Sequence, residues 1–280
     1  MKKVTQIIVR LKDRRHKIFI GRGLLLAAGK IWAASNLPKR AVVITNPEIK
    51  NKYGGLLKKS LEKSDVAVFF ILIPPGEKFK NLDTVSRIYD SLISLKIERG
   101  DAIVALGGGV VGDLAGFVGA TYLRGLAFVQ IPTTLLAMVD SAIGGKVGVN
   151  HSQGKNLIGA FYQPKAILMD LDTLNSLPAS EIRNGLAEVV KYGMIRDEKF
   201  FHFLENSAKF LRRPPDFSNK KQIEIYLKIV STCAAIKARV VEQDEKEKYL
   251  RMILNFGHTI GHGIEAAGIY QTYTHGEAVL

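Results

Sequence analysis

Apolar and polar positions along this chain change their rhythm part-way. Up to about residue 171, short β-branched runs alternate with stretches whose apolar residues recur at helical spacing, the pattern of an α/β unit with a largely parallel sheet. The runs AVVITN, AVFFILIP, AIVALGG and AFVQIPTT read as strands. Between them, 47–63 and 82–96 read as helices, with Asp83 and Thr84 as capping candidates for the second. Beyond Asp172 the strand signal almost vanishes, and 179–206, 221–241 and 250–267 read as long amphipathic helices. A domain boundary is therefore expected at 172–178, with a ligand cleft between an α/β part, 1–172, and a helical part, 173–280.

Composition narrows the class. A chain of 280 residues, 47% hydrophobic and 24% charged, can bury the cores of two domains. Its longest apolar runs, 66–75 and 107–112, fall short of the roughly 18 to 20 residues of a membrane-spanning helix. The opening MKKVTQIIVRLKDRRHK lacks the apolar centre of a signal peptide, so a cytoplasmic location is expected. The single cysteine, Cys233, sits among Ala234, Ala235 and Ile236 and reads as a small buried hydrophobe. A formal charge of +14 raises nucleic acid as a partner, but Lys and Arg are scattered rather than gathered into a stripe with aromatics. The excess reads instead as solvated surface plus a focused anion site, with neither nucleic acid nor membrane as partner.

Three features carry chemistry. Residues 107–113, GGGVVGD, follow the strand AIVAL and open a helix, so Gly107, Gly109 and Gly112 meet a GxGxxG spacing that lets backbone amides approach a pyrophosphate. A Rossmann fingerprint would sit in the first βα unit with an acid about 20 residues on, and position 132 is proline. The loop therefore reads as the phosphate cradle of a different dinucleotide arrangement, with Asp113 as a nearby polar contact. Three of the six histidines, His258, His262 and His275, fall within the last stretch of the chain. His258 and His262 share the HxxxH spacing of zinc proteases, but Thr259 stands where those need Glu. A catalytic metal wants three protein ligands and an open position, which His258, His275 and one carboxylate would supply. Glu188 in GLAEVVKYG is the best candidate, a mid-helix acid between apolar neighbours with Lys191 one turn on. Finally, Arg124, Lys146, Lys155, Lys237 and Arg251 lie in glycine-rich or apolar settings where a charge usually faces a ligand. Helical periodicity puts Arg251, Asn255 and His258 on one stripe, a guanidinium beside a metal that suits an acidic substrate.

The segments PPGEKFKNLDTV, RGDAIVALGGGVVGDLAGFVGATYLRG, IPTTLLAMVDSAIGGKVGVN, GKNLIGAFYQP, GLAEVVKYG, LNFGHTIGHGIEA and HGEAV together resemble 3-dehydroquinate synthases, over essentially the whole length. The resemblance implies an N-terminal Rossmann-like parallel-sheet domain followed by an all-α metal-binding domain. It implies that Glu188, His258 and His275 bind zinc or cobalt. It also implies that Asn46, Glu77, Lys80, Gly109, Asp113, Thr133, Thr134, Asp140, Ser141, Lys146, Lys155, Asn156 and Thr173 contact or border NAD, although Asn46 stands where relatives often carry Asp. Lys146, Asn156, Asn255, His262 and Arg124 would surround the substrate phosphate, Arg124 from a neighbouring subunit of a homodimer. Lys237 and Arg251 would hold the carboxylate, and Lys191 completes the catalytic set. The implied reaction converts 3-deoxy-D-arabino-heptulosonate 7-phosphate to 3-dehydroquinate and phosphate by transient oxidation, elimination, re-reduction and aldol closure. The alternatives are another sugar-phosphate cyclase of the 2-deoxy-scyllo-inosose synthase type, a metal-dependent dehydrogenase of the glycerol dehydrogenase type, and an inactive remnant. Similar proteins continue beyond HGEAVL, so the helical domain is expected to be truncated, exposing apolar surface and leaving the 280 residues poorly stable or inactive.

Overall fold

The computed structural model describes residues 4–267 and 274–279, apart from the side chains of His262, Glu265, Ala266 and Ala267. The chain opens with a hairpin of β1 (Thr5–Arg10) and β2 (Arg15–Gly21), then α1 (Leu24–Ala34) and β3 (Arg40–Thr45). A helical run follows, α2 (Pro47–Ile49), a π-helical turn and α3 (Gly55–Glu62), and leads to β4 (Ala67–Leu72), α4 (Leu82–Ser94), β5 (Ala102–Gly107) and α5 (Gly109–Thr121). Next come β6 (Ala127–Pro132), a second hairpin of β7 (Lys146–His151) and β8 (Gly154–Phe161), and β9 (Ala166–Asp170). The rest is α6 (Ala179–Arg196), α7 (Glu198–Leu211), α8 (Lys220–Gln243), α9 (His258–Ala267) and α10 (His275–Val279).

Seven strands form one sheet in the order β1-β2-β9-β6-β5-β3-β4, antiparallel only between β1 and β2. Side chains alternate between its faces, so Val42 and Ile44 point one way while Ala41 and Val43 point the other. On the second face Val43, Val104, Val129 and Leu168 pack against Leu24, Ala28 and Trp32 of α1 and against Leu57 and Leu61 of α3. The first face is shared. Its β3 and β5 half is covered by Val85 and Ile88 of α4 and Leu114 of α5, whereas Ile18, Ile20, Ile167 and Met169 of β2 and β9 meet Val189, Tyr192, Ile229 and Cys233 of α6 and α8. The helical half thus packs directly on the sheet. No helix among the described residues is long and apolar enough to cross a membrane.

Three local readings are corrected. The helix expected over 179–206 is two, broken at Asp197, whose backbone is extended (φ −152°) and whose side chain caps α7 by accepting the Phe200 amide at 2.9 Å. The helix expected over 250–267 is also two: Leu250–Asn255 is a 3₁₀ turn, and Gly257 at φ +79° ends it before α9 begins. The cap of α4 is Asn81, which accepts the Thr84 amide at 2.9 Å, rather than Asp83 or Thr84. Cys233 is fully buried, and burial raises its thiol pKa well above the ordinary value.

One buried group on β2 makes stability pH-dependent. Burial foremost, with Arg14 nearby, holds His16 down to about 4 from the ordinary 6.5. Between those values the unfolded chain binds a proton that the native protein does not, so stability falls with falling pH, by up to about 3 kcal/mol. Denaturant midpoints measured from pH 7 to 4 are expected to show this slope, and His16→Leu to lose that component. An unchanged slope in the variant would refute the assignment.

Candidate active site

The sheet order reverses direction between β3 and β5: the chain leaves β3 for the outer β4, returns to β5 and then runs the other way through β6 and β9. In open parallel sheets ligands bind outside the strand ends at such a point. Here the carboxyl ends of β3, β5, β6 and β9 present Asn46, Gly107 to Gly109, Thr133 with Thr134, and Thr173. Space explains the glycines. A Cβ on Gly107 would stand 2.6 Å from Val111 Cγ2, and one on Gly112 would stand 2.9 Å from Gln130 Oε1. The N-terminus of α5 receives no side-chain cap, so its amides stay available to an anion. Thr133 Oγ1 is buried with no hydrogen-bond partner. Thr134 Oγ1 accepts the Ala137 amide, Thr173 Oγ1 donates to Asp170 O, and Asn46 Oδ1 accepts the Ile49 amide, so these three side chains also serve the fold.

The β7–β8 hairpin lies against α5, where Gly116 permits the approach of Val147: a Cβ there would meet Val147 Cγ1 at 2.3 Å. Buried Lys80 ties the layers together, its ammonium donating to Asp113 Oδ2 and Asn156 Oδ1, both at 2.5 Å. Burial raises the Asp113 carboxyl against the opposing pull of Lys80. Glu77 Oε1 accepts from Asn150 Nδ2 at 2.8 Å, which fixes the hairpin from the other side. Lys155 and Asn156 are carried on β8, Asn156 at φ +57°.

Between this hairpin, α5 and the helical half opens a cleft of about 530 Å³. Asp113, Asp140, Ser141, Lys146 and Asn156 line one side, and Lys191, Lys237, Glu247, Arg251, Asn255 and His258 the other. Lys237 donates to Asp140 Oδ1 at 2.6 Å and to Asp140 O at 2.7 Å, and the Tyr192 hydroxyl donates to the same carboxylate at 3.1 Å. Burial alone would raise the Asp140 carboxyl; Lys237 foremost, then Lys191 and Tyr192, overcome it and hold the group below its usual range. Arg251 is buried and donates to Gly144 O at 3.0 Å and Glu245 O at 2.7 Å. Burial, with Arg251 and Lys237 alongside, lowers Lys146 to about 8, so its ammonium stays charged at neutral pH.

At the helical wall Glu188, His258 and His275 offer ligand atoms that all lie within 4.8 Å of one another. Glu188 is 0% exposed, in mid-α6. Its Oε1 stands 3.7 Å from His258 Nε2 and 3.4 Å from His275 Nε2, and its Oε2 pairs with the Lys191 ammonium. Neither carboxylate oxygen makes a regular hydrogen bond. Lys191 also donates to Leu254 O at 2.6 Å, tying α6 to the turn before α9. His258 Nδ1 lies 3.2 Å from Phe256 O; a proton there leaves Nε2 facing Glu188 as a lone pair. His275 arrives because α10 docks closely on α6: Gly276 donates to Asn184 Oδ1 at 2.7 Å, and a Cβ on it would meet Asn184 O at 2.6 Å.

Two family patterns match consecutive parts of the chain, 3-dehydroquinate synthase N-terminal over residues 70–184 and 3-dehydroquinate synthase C-terminal over 185–280. A 3-dehydroquinate synthase of Microcystis aeruginosa is 50% identical over 275 residues, 98% of this chain and 73% of the relative. That of Syntrophotalea carbinolica is 47% identical over 277 residues, 99% of this chain and 75% of the relative. The chain belongs to the 3-dehydroquinate synthase family. Among solved structures, a 2-deoxy-scyllo-inosose synthase complexed with carbaglucose-6-phosphate, NAD+ and Co2+ superposes with a TM-score of 0.86 at 29% identity, covering 98% of this chain and 74% of that one. A 2-epi-5-epi-valiolone synthase from Streptomyces hygroscopicus with NAD+ and Zn2+ gives 0.84 at 29%, covering 96% and 73%.

Seen as a 3-dehydroquinate synthase-family site, the cleft is lined by Asp113, Asp140, Ser141, Lys146, Asn156, Lys191, Lys237, Arg251, Asn255 and His258 of the expected residues, while Asn46, Thr133, Thr134 and Thr173 near the strand ends, and Glu188 and His275, lie outside its lining. Arg251, Asn255 and His258 do border one cleft, but not as a helical stripe, because the 3₁₀ turn and Gly257 interrupt the periodicity. Arg124 is exposed on a 3₁₀ turn at φ +66° and does not line the cleft. Glu77 and Lys155 are not part of the lining, Lys80 stands behind it on Asp113 and Asn156, and Gly109 adjoins it through Ser141, whose Oγ would lie 3.2 Å from a Cβ on that glycine. The His262 side chain lies outside the described residues. Sequence reasoning missed Tyr192 and Glu247. Tyr192 was within reach, four residues after Glu188 on the same helix; Glu247, inside the charge run EQDEKEK, reads as solvent-facing.

Proposed function

We propose that this chain is a 3-dehydroquinate synthase that releases phosphate from 3-deoxy-D-arabino-heptulosonate 7-phosphate and closes the carbocycle. The observation that carries the reading is one cleft lined by His258 of the Glu188, His258 and His275 cluster, by a basic wall, and by Asp113 and Ser141 beside the uncapped glycine turn at the sheet's switch point. The residues fit both implied groups. A buried carboxylate facing two imidazoles, with no regular hydrogen bond, suits a divalent cation held by Glu188, His258 and His275. The glycine turn and the partnerless Thr133 hydroxyl suit the pyrophosphate and sugar of NAD. When bound, NAD and the cation supply a reversible oxidation of a substrate hydroxyl, which acidifies the neighbouring carbon–hydrogen bond.

The chain's own residues position the substrate for this. Lys146, Asn156 and Asn255 face the phosphate end, and Lys237 and Arg251 hold the carboxylate. Lys191 neutralises the carboxylate of Glu188 and keeps α6 registered with the turn before α9. Asp140 and Tyr192 fix the direction of Lys237. The substrate phosphate serves as proton acceptor in the elimination, in keeping with the pairing of each lining carboxylate, Asp113, Asp140 and Glu247, with a lysine. A carboxylate-binding pair also distinguishes this cleft from that of an inosose synthase, whose substrate has no carboxylate.

We divide the chain into an NAD-binding α/β part, 1–172, and a helical metal- and substrate-binding part, 173–280; the glycine turn lies in the first and the three metal-facing residues in the second. Arg124, exposed and outside its own cleft, suits a role in the site of a second copy, which supports a homodimer. The lone buried Cys233 suits a cytoplasmic setting.

The test is phosphate release from the heptulosonate phosphate, with and without chelator and added NAD. Release that needs the metal and leaves no net NADH is expected. Accumulation of NADH from a simple polyol would instead place the protein with the dehydrogenases.

A further inference from the structure

We propose that Glu247 is an internal counter-anion that occupies the phosphate subsite of the cleft and must be displaced when a phosphorylated ligand enters. The proposal rests on reading Lys146 and Asn255 as substrate-holding residues. Both are already engaged by one carboxylate of the same chain: Glu247 Oε2 pairs with the Lys146 ammonium, and Glu247 Oε1 accepts from Asn255 Nδ2 at 3.0 Å. Two oxygens bridging an ammonium and an amide reproduce what two phosphate oxygens would ask of the same donors.

The other cations of the cleft are committed differently. Lys237 pairs with Asp140, Lys191 with Glu188, and Arg251 with two backbone carbonyls, all nearly buried. The Lys146 side chain keeps 51% exposure, so it is the cation that can turn toward an incoming anion at least cost.

The backbone beneath Glu247 is a fixed mount for a movable arm. Asp244 accepts the amides of Lys248, Tyr249 and Arg251 at 2.9, 2.8 and 3.0 Å. Glu245 accepts from Arg14 at 2.7 Å and from Gln163 at 3.0 Å, pinning the loop to the β1–β2 hairpin and to the strand end after β8. Between these anchors Glu247 sits at φ +55° with its side chain 15% exposed, directed into the cleft.

A carboxylate and a phosphate dianion seeking the same two donors repel each other at such short range. Phosphate entry therefore requires Glu247 to leave both donors, and the apparent affinity falls by the fraction of molecules in which the subsite is closed. The same exchange selects by charge, because a monoanion meets an equal competitor while a dianion prevails over it. Glu247 is then a specificity-determining residue for the phosphate end.

The experiment is a calorimetric titration of inorganic phosphate into the metal- and NAD-loaded protein and its Glu247→Gln and Glu247→Ala variants. Glutamine keeps the shape and removes the charge; alanine removes the reach as well. Both variants are expected to bind inorganic phosphate about tenfold more tightly, the shift for a subsite closed in about nine molecules of ten, with melting temperatures unchanged. A merely structural role would not produce a gain in affinity. Equal or weaker phosphate binding in both variants overturns the proposal, as does a fall in melting temperature without tightening. Normal phosphate release from substrate with unchanged phosphate affinity defeats this inference alone; silent titrations in all three proteins together with no release defeat the functional reading too.

Discussion

Glu188→Gln is expected to leave the protein without bound metal and to lower phosphate release by on the order of 10³-fold, the several kcal/mol a bound cation contributes to such a reaction. The amide keeps the shape of the side chain but offers neither the charge nor the second acceptor oxygen. Its loss also strands Lys191, which is buried and has Glu188 as its carboxylate partner. Removing one member of a buried pair costs about 3–5 kcal/mol, so the variant should unfold at distinctly lower denaturant concentration. Metal content after gel filtration and a denaturant curve check both parts. Stoichiometric metal in the variant would show that the cation is held elsewhere.

Lys237→Met should be nearly as damaging, through a different wall of the cleft. The Asp140 carboxylate keeps its negative charge against burial chiefly because of Lys237. Without the ammonium, Asp140 keeps the Tyr192 hydroxyl of its two side-chain hydrogen-bond partners and the field of Lys191, which together oppose burial less well. A drop in melting temperature on the order of 10 °C is expected. The KM for substrate should rise as well, since Lys237 is one of the two groups we propose hold its carboxylate. Tyr192→Phe removes only one neutral donor and should cost about 1 kcal/mol. If the methionine variant melts with the unchanged protein, the pair with Asp140 carries no weight in the fold.

How much of this was legible depended on how each residue announces itself. The central strands AVVIT and AIVAL are buried on both faces and bounded by asparagine or glycine, so they stood out. The hairpin strands TQIIVR and RHKIFIG were missed because charged residues cut their apolar runs to two or three positions, and AILMD because a short apolar run cannot be told from helix. At the site, residue chemistry was readable and geometry was not. Acids and imidazoles in apolar company singled out Glu188, His258 and His275, yet the periodicity invoked for Arg251, Asn255 and His258 ignored what Gly257 does to a helix. Asn46 shows the converse: the resemblance places it at or beside NAD, and the structure adds a role that the sequence did not announce, its side chain capping α2. Glu247 was illegible for a simpler reason, since nothing in a run of charges tells which one turns inward.

The continuous core beneath the cleft has a mechanical consequence. Val189, Tyr192, Ile229 and Cys233 interlock with Ile18, Ile20, Ile167 and Met169, and α8 lies on β1, β2 and the 137–141 turn. Among the described residues the two halves therefore meet through packed side chains and not through a connecting strap alone. Narrowing of the gap around a guest is expected to proceed by shear, packed side chains sliding past one another by small steps. Grip on the guest then falls to individual arms at the rim, while the floor stays still.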